Sequence, residues 1–477
     1  MMEKNSEINR RRFIGTVATA TVGVAASGFN PVFGESRVRF INQPEEATSG
    51  FNPAFGKSRD TADKLAILGG NPVRQNKRWP EWPYLDEKIV ASMEKTVRSR
   101  AWCRIDGGAG SVAQFEKEWA AMLGVKHCVA TGAGTQALNT CVEALGIGPG
   151  DEVITSPYTD MGTIASILSA RALPVLVDID RESFQLDPAI VAKRINANTK
   201  ALMPIHIMGQ PCDMDSILAL AKKHNLYVIK DACQAHLGEY RGKKLGTIGH
   251  AGCFSHQSSK TIGCGEGGSV AGNDDTLMDK CYTVMNHGTS RRGSNETIGN
   301  KMRMNEFEGA MLLAQLTHAK EQWKRRNENA AYLTSKLKAC PGVLPQKLYD
   351  GYESGSWYLY TMGYRKEHFN NVSRSIFLKA LAAEGITISP YISRGLHGEP
   401  WVDHILGLKV YQTMYSPARL KQYKEELACP VCDKICSEEM LMLWASGPLL
   451  GEKSDMDDVV NAIMKLYQNR DQLSKVE

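Results

Sequence analysis

Three short stretches of the chain hold residue types that could do chemistry. In SHQSSKTIGCGEGG (255–268), Lys260 lies between hydroxylated residues and a run with four glycines in six positions. That lysine is either an ordinary charge in a flexible loop or an amine in a socket that glycine's missing Cβ and wide dihedral range allow. In YVIKDACQAH (227–236), Asp231 directly follows an apolar, strand-like run. A carboxylate at the carboxyl-terminal end of a strand lies where open α/β sheets bind ligands, although it could equally cap a following helix. In TGAGTQAL (131–138), a glycine–threonine turn leads into a helix start. Free N–H groups and the positive end of a helix suit an anion there, while a plain tight turn accounts for the same residues. The spacing matches neither G-x-G-x-x-G nor a Walker A loop, so a single phosphate fits better than a dinucleotide or ATP.

Together these are a phosphate cup, a carboxylate and a lysine, each just past a strand. Pyridoxal phosphate needs those three things: an anion site, a partner for its pyridinium nitrogen, and an amine for imine formation with its aldehyde. The joint pattern is far more specific than any of its parts.

The elements that must position these residues alternate along the chain. DEVITSPYT, PVLVDID, ALMPIHIMG, LYVIKDACQ and AGCFSHQS are short, apolar, β-branched runs spaced by helical segments such as DSILALAKKHN. Strands alternating with helices indicate an α/β fold with a mainly parallel sheet. SVAQFEKEWAAMLGV has helical spacing and stops at Gly124, and helical spacing dominates again from Met302 to about Leu337. Beyond about Gly342, strand-like SWYLYTMGY mixes with helices. This organisation predicts a large domain over 63–338 and a smaller C-terminal α+β domain over 339–477.

Composition sets outer limits. A chain of 477 residues with 43% hydrophobic and 23% charged residues suits a large globular enzyme of two or more lobes. The net charge of +5 is small for this length, which argues against a nucleic-acid binder defined by charge. Twelve cysteines are too dilute for a disulfide framework. The tightest group, CPVCDKIC (Cys429, Cys432, Cys436), lacks a nearby fourth ligand at zinc spacing, so a turn and half-buried helix are expected there and no metal.

The amino terminus differs from the rest. Arg10, Arg11 and Arg12 precede Phe13 and a weakly apolar Ala/Gly/Thr/Val run, the order of a twin-arginine-type export signal over 1–27. The apolar run is short for a membrane span, and no later segment is long and apolar enough for one. SGFNPVFGESR and SGFNPAFGKSR then repeat at an offset of 22 residues, which reads as a duplicated linker within 28–62.

From about residue 70 onward, ALGIGPGDEVITSPYT, IHIMGQPCDMD, KDACQAHLGEYRGKKLGTIGHAGCFS, SSKTIGCGEGGSV and RMNEFEGAMLLAQL resemble, in order and spacing, the DegT/DnrJ/StrS sugar aminotransferases. The resemblance implies the fold type I architecture of pyridoxal-phosphate-dependent transferases and ping-pong transamination from glutamate or glutamine to a keto-sugar or keto-cyclitol. It matches Lys260 to the Schiff-base lysine and Asp231 to the partner of the pyridine nitrogen. Gln234 corresponds to the contact of the ring hydroxyl, Gly134, Thr135 and Ser255 to phosphate ligands, and Glu266 to the loop beside the site. Two departures stand out. Asp160 occupies the position of the family's ring-stacking aromatic, leaving Tyr158 or another ring to supply the face, and Asn300–Lys301 stands where an asparagine commonly reaches a neighbouring subunit's phosphate. A related dehydratase subgroup has histidine at the lysine position, which Lys260 disfavours; a non-catalytic sensor or docking protein is the other alternative. The resemblance further implies a homodimer. Export would leave no stable membrane association, and it favours a free keto-sugar or keto-cyclitol over a nucleotide-linked one. In RGLHGEPW, His397 and Trp401 are candidate substrate contacts, Arg303 is expected near the site, and His206 and His236 are expected to be structural.

Overall fold

The computed structural model describes residues 64–106 and 110–476, so the signal-like segment and the duplicated linker lie outside the described residues. The frame is a seven-stranded sheet. Its strands are β1 (His127–Thr131), β2 (Glu152–Thr155), β3 (Leu173–Leu176), β4 (Thr199–Leu202), β5 (Tyr227–Asp231), β8 (Ala251–Ser255) and β9 (Gly268–Gly272). Between β5 and β8 lie two short strands, β6 (Glu239–Tyr240) and β7 (Lys243–Lys244). The sheet order is β1-β9-β8-β5-β4-β2-β3. β3, β2, β4, β5 and β8 run parallel, while β9 is antiparallel to both its neighbours. The reason is local. Parallel neighbours need a crossover of a dozen or more residues, usually helical, whereas the lysine-bearing segment between β8 and β9 holds no helix and turns straight back.

Helices cover both faces. On one lie α2 (Ser111–Leu123), α6 (Met214–His224) and α8 (Glu306–Leu337), burying Phe115, Trp119, Ile217, Leu312 and Leu316. On the other, α3 (Gly134–Ala144) and α7 (Asp275–Met285) bury Leu138, Cys141, Val142, Leu277 and Cys281. This is why the strands read as continuous apolar runs instead of alternating ones. The expected stop is present, Gly124 closing α2 at φ 72°, and Asn225 likewise closes α6 at φ 53°, both left-handed.

The second lobe is built on the antiparallel sheet Val343–Pro345, Leu359–Tyr364 and Met440–Trp444. Its core joins Tyr364, Phe369 and Phe377 to Ala330, Leu333 and Leu337 from the far end of α8, so that one helix serves both lobes. Residues at the start of the described chain also belong here. Leu65 lies in this core, and Arg74 bonds Asp455 at 2.7 Å and Asp458 at 2.8 Å. Part of the C-terminal sequence packs back on the large sheet. Tyr411, Tyr415 and Tyr423 donate to the carbonyls of Ala172, Asp151 and Pro174, covering the β3 edge. In CPVCDKIC, a short helix (Pro430–Lys434) buries Cys429, Cys432 and Cys436, and Asp178 accepts from the Val431 and Cys432 amides.

Candidate active site

The cup forms where β1 ends. Ala133 is extended (φ −162°, ψ 159°) and its side chain makes no cap, so the first turn of α3 keeps its N–H groups available to an anion. Glycine is needed here for close approach. A Cβ on Gly134 would sit 2.7 Å from Ser255 Cβ, and one on Gly268 would sit 2.2 Å from the Ala133 oxygen. Ser255 therefore lies against the helix start, and the strand leaving the glycine run passes directly beneath it. Thr135 is exposed at the rim. Across from it is Gly162, in α4 (Met161–Ser169), whose Cβ would meet Thr135 Oγ1 at 2.5 Å.

Asp231 lies at the end of β5 and is 4% exposed. The Thr163 hydroxyl donates to its Oδ2 at 2.7 Å, and the Cys233 amide donates to its Oδ1 at 3.1 Å. No helix follows it, so the capping alternative is excluded. Burial pushes its pKa above the ordinary carboxylate value; Thr163, Cys233 and the charge of Lys260 pull the other way. Gln234 is held at both ends of its amide, accepting from the Met208 amide at 2.7 Å and donating to Tyr391 Oη at 2.9 Å.

Lys260 rides on a turn closed by its own amide to the Gln257 oxygen at 2.8 Å. Its Nζ lies 4.1 Å from the ring centroid of Tyr358, where the π-face attracts the ammonium. Tyr358 Oη is in turn 3.0 Å from Ser259 Oγ. Beneath this turn His236 stacks on His256 at 5.2 Å, and its Nδ1 is 3.0 Å from Thr261 Oγ1, the residue after the lysine. Burial drives His236 well below the ordinary histidine value, His256 down to about 4 and His206 to about 3. All three are neutral packing groups at neutral pH, as the sequence suggested for His206 and His236.

The remaining candidates fall in different places. Asp160 caps α4, its Oδ1 accepting from the Gly162 amide at 2.8 Å, with the carboxylate otherwise exposed. Tyr158 is fully buried, with its ring 5.7 Å from Tyr391 and 6.3 Å from Phe184. The expectation that it offers a ring face is therefore corrected: that side chain is wall, packed inward beside its exposed neighbour. Glu266 is exposed in the glycine loop. Asn300 and Lys301 are exposed on a segment that runs beside the end of β1, where Arg303 pairs with Thr131 and donates to Asn286 at 3.1 Å. His397 bonds Asp433 at 3.0 Å, tying its loop to the Pro430–Lys434 helix, and Trp401 donates to the Leu396 oxygen at 2.8 Å within its own loop. Sequence reasoning missed Thr163, Tyr358 and Tyr391. Thr163 had only its place in a helix start as a signal, and the two tyrosines come from the other lobe with none.

A cup that only glycine permits, a carboxylate with two donors, and a lysine across from it fit the phosphate, ring nitrogen and aldehyde of pyridoxal phosphate. The comparisons with known proteins agree. Residues 83–446 match the model of the DegT/DnrJ/EryC1/StrS aminotransferase family. The chain is 32% identical over 426–436 residues to aminotransferases of Streptoalloteichus tenebrarius, among them L-glutamine:2-deoxy-scyllo-inosose aminotransferase, covering 86% of this chain and 99% of that one. It is 33% identical to the spore coat polysaccharide biosynthesis protein SpsC of Bacillus subtilis, over 82% of this chain and 97% of that one. The crystal structure of 3-amino-5-hydroxybenzoic acid synthase superposes with a TM-score of 0.70 at 27% identity, covering 82% of this chain and 99% of the other. The chain belongs to the DegT/DnrJ/EryC1/StrS aminotransferase family.

Proposed function

We propose that the protein is a pyridoxal-phosphate-dependent aminotransferase that moves an amino group from glutamine or glutamate to the ketone of a cyclitol or free sugar. The observation that carries this is the convergence of the Lys260 amine, the Asp231 carboxylate and the Gly134–Thr135 cup at the ends of three strands. The names of the cyclitol and sugar aminotransferases to which the chain is similar support the substrate class.

When bound, pyridoxal phosphate supplies an aldehyde for amine exchange and a ring that withdraws electrons from the substrate carbon. The chain's own residues do the rest. The α3 amides, Thr135 and Ser255 would hold the phosphate. Asp231 would hold a proton on the ring nitrogen, and Gln234, fixed by Met208 and Tyr391, would face the ring hydroxyl. Lys260 Nζ would take the proton from the donor α-carbon and return it on the acceptor side. The test is a donor-by-acceptor screen with glutamine and glutamate against 2-deoxy-scyllo-inosose, scyllo-inosose and free keto-sugars. Absorbance near 400–430 nm that borohydride or Lys260→Ala removes identifies the lysine. No transfer to any free ketone, with turnover of nucleotide-linked sugars instead, would overturn the acceptor class.

Two further readings belong to this proposal. The protein acts as a homodimer, supported by the exposed apolar side chains Leu85, Val97, Trp102 and Ile105 on and beside α1 (Glu87–Ser99). A cleft of about 560 Å³ lined by Arg100, Trp102, Lys301, Arg303 and Phe307 adjoins them. Sedimentation equilibrium of a monomer at micromolar concentration would sink it. The protein is also exported in folded form, supported by the three arginines and apolar run near the amino terminus. Replacing Arg10, Arg11 and Arg12 with lysine should retain a fused reporter in the cytoplasm; unchanged export would refute that route.

A further inference from the structure

The groups facing Asp231 come from several elements. Lys260 faces it from the glycine-flanked turn, Cys233 from the exit of β5 and Tyr391 from the C-terminal lobe, with Asp160, in the cap of α4, acting on Cys233 and Tyr391. Cys233 meets its carboxylate through both its amide and its thiol. The short hydroxyl bond is that of Thr163, at 2.7 Å from Oδ2. Behind it, Thr159 Oγ1 lies 2.9 Å from Thr163 Oγ1, and the two threonines are 2% and 1% exposed. An ionised carboxylate only accepts, so the Thr163 proton must point to Asp231 and the Thr159 proton to Thr163. The chain Thr159→Thr163→Asp231 is thus directional while Asp231 is charged. A protonated Asp231 would have to turn its own hydrogen on Thr163, reversing the chain.

We propose that Thr163, backed by Thr159, is the positioning residue that keeps Asp231 ionised and oriented toward the pyridine nitrogen. The proposal rests on the assignment of Asp231 to that nitrogen. The physical reason is that burial alone favours the neutral carboxyl, and a hydroxyl donor to the charged form opposes it. Hydrogen bonds to charged groups are the strong ones, so losing one here is felt in cofactor binding.

The test is pyridoxal phosphate affinity of the full-length protein across pH 6–9, read by cofactor absorbance, for Thr163→Val, Thr163→Ser, Thr159→Val and Asp231→Asn. Valine keeps the shape and removes the donor. Thr163→Val should weaken binding about tenfold at the acid end and recover toward the alkaline end, where Asp231 ionises without help. Thr163→Ser should match wild type, and Thr159→Val should show the same slope with a smaller loss. Asp231→Asn should bind weakly at every pH. A pH-independent loss in both Thr163→Val and Thr159→Val, or no loss in either, overturns the positioning role. Unchanged binding by Asp231→Asn instead overturns the assignment beneath it. If Thr163→Val does not fold, the slope of Thr159→Val decides.

Discussion

Lys230 and Asp231 are adjacent in sequence, both end β5, and both are buried, yet they meet opposite surroundings. A strand turns successive side chains to opposite faces. Asp231 faces the site, with the Thr163 hydroxyl and Cys233 amide on its oxygens and Lys260 nearby. Lys230 faces the interior, 0% exposed, and its Nζ has no hydrogen-bond partner among the described residues. Cys141, Cys212, Cys253, His206 and His250 lie near it, and burial pulls its pKa from 10.5 down to about 8. The contrast teaches that a buried charge marks a functional site only when neighbours are arranged to keep it charged. Lys230 lacks that arrangement and reads as a cost to stability.

The comparison can be broken most sharply on the site side. Lys260→Ala and Asp231→Asn should each cut amino transfer by about 10³-fold or more in steady-state assays. An Asp231→Asn enzyme with near-normal turnover would leave the two residues of β5 no different in kind.

The next effect is on the other face. Lys230→Met should raise stability at pH 7 by an amount on the order of 3 kcal/mol, measured by urea unfolding. The sign follows from the direction of the shift. A lysine depressed in the folded state binds its proton less well than in the unfolded chain, so stability falls as pH drops from 10.5 to about 8 and is flat below. The advantage of Lys230→Met should therefore shrink above pH 8 and vanish near 10.5; a constant difference would show that the lysine has a partner.

A smaller change sharpens the cup. Gly134→Ala should lower pyridoxal phosphate affinity about tenfold, because the new Cβ would lie 2.7 Å from Ser255 Cβ and must push the helix start or Ser255 aside. Smallest of all, Asp160→Asn keeps an equally good cap on α4 and should leave the melting temperature unchanged, within about 0.5 kcal/mol of stability. A larger loss would mean that the carboxylate charge itself supports the site.

Much of this was legible without a structure. Glycines flanking a lysine, a carboxylate ending a strand and a glycine–threonine helix start are local signals, and each fell where the pattern put it. Nothing in SPYTD says which of Tyr158 and Asp160 turns inward; the fold buries Tyr158 and leaves Asp160 exposed. The described amino-terminal residues were assigned with the large domain, whereas Leu65 and Arg74 pack with the C-terminal lobe.

Sequence by itself determined the strand–helix alternation, the turn chemistry and therefore the positions of Lys260, Asp231 and Gly134. Those depend on backbone periodicity and on what glycine permits within a few residues. Tertiary structure alone decided which side chains tune them. Thr163 reaches Asp231 across 68 positions, and Gln234 reaches Tyr391 across 157. Burial, hydrogen-bond partners and charge shifts come from contacts between distant segments, and no local pattern encodes them.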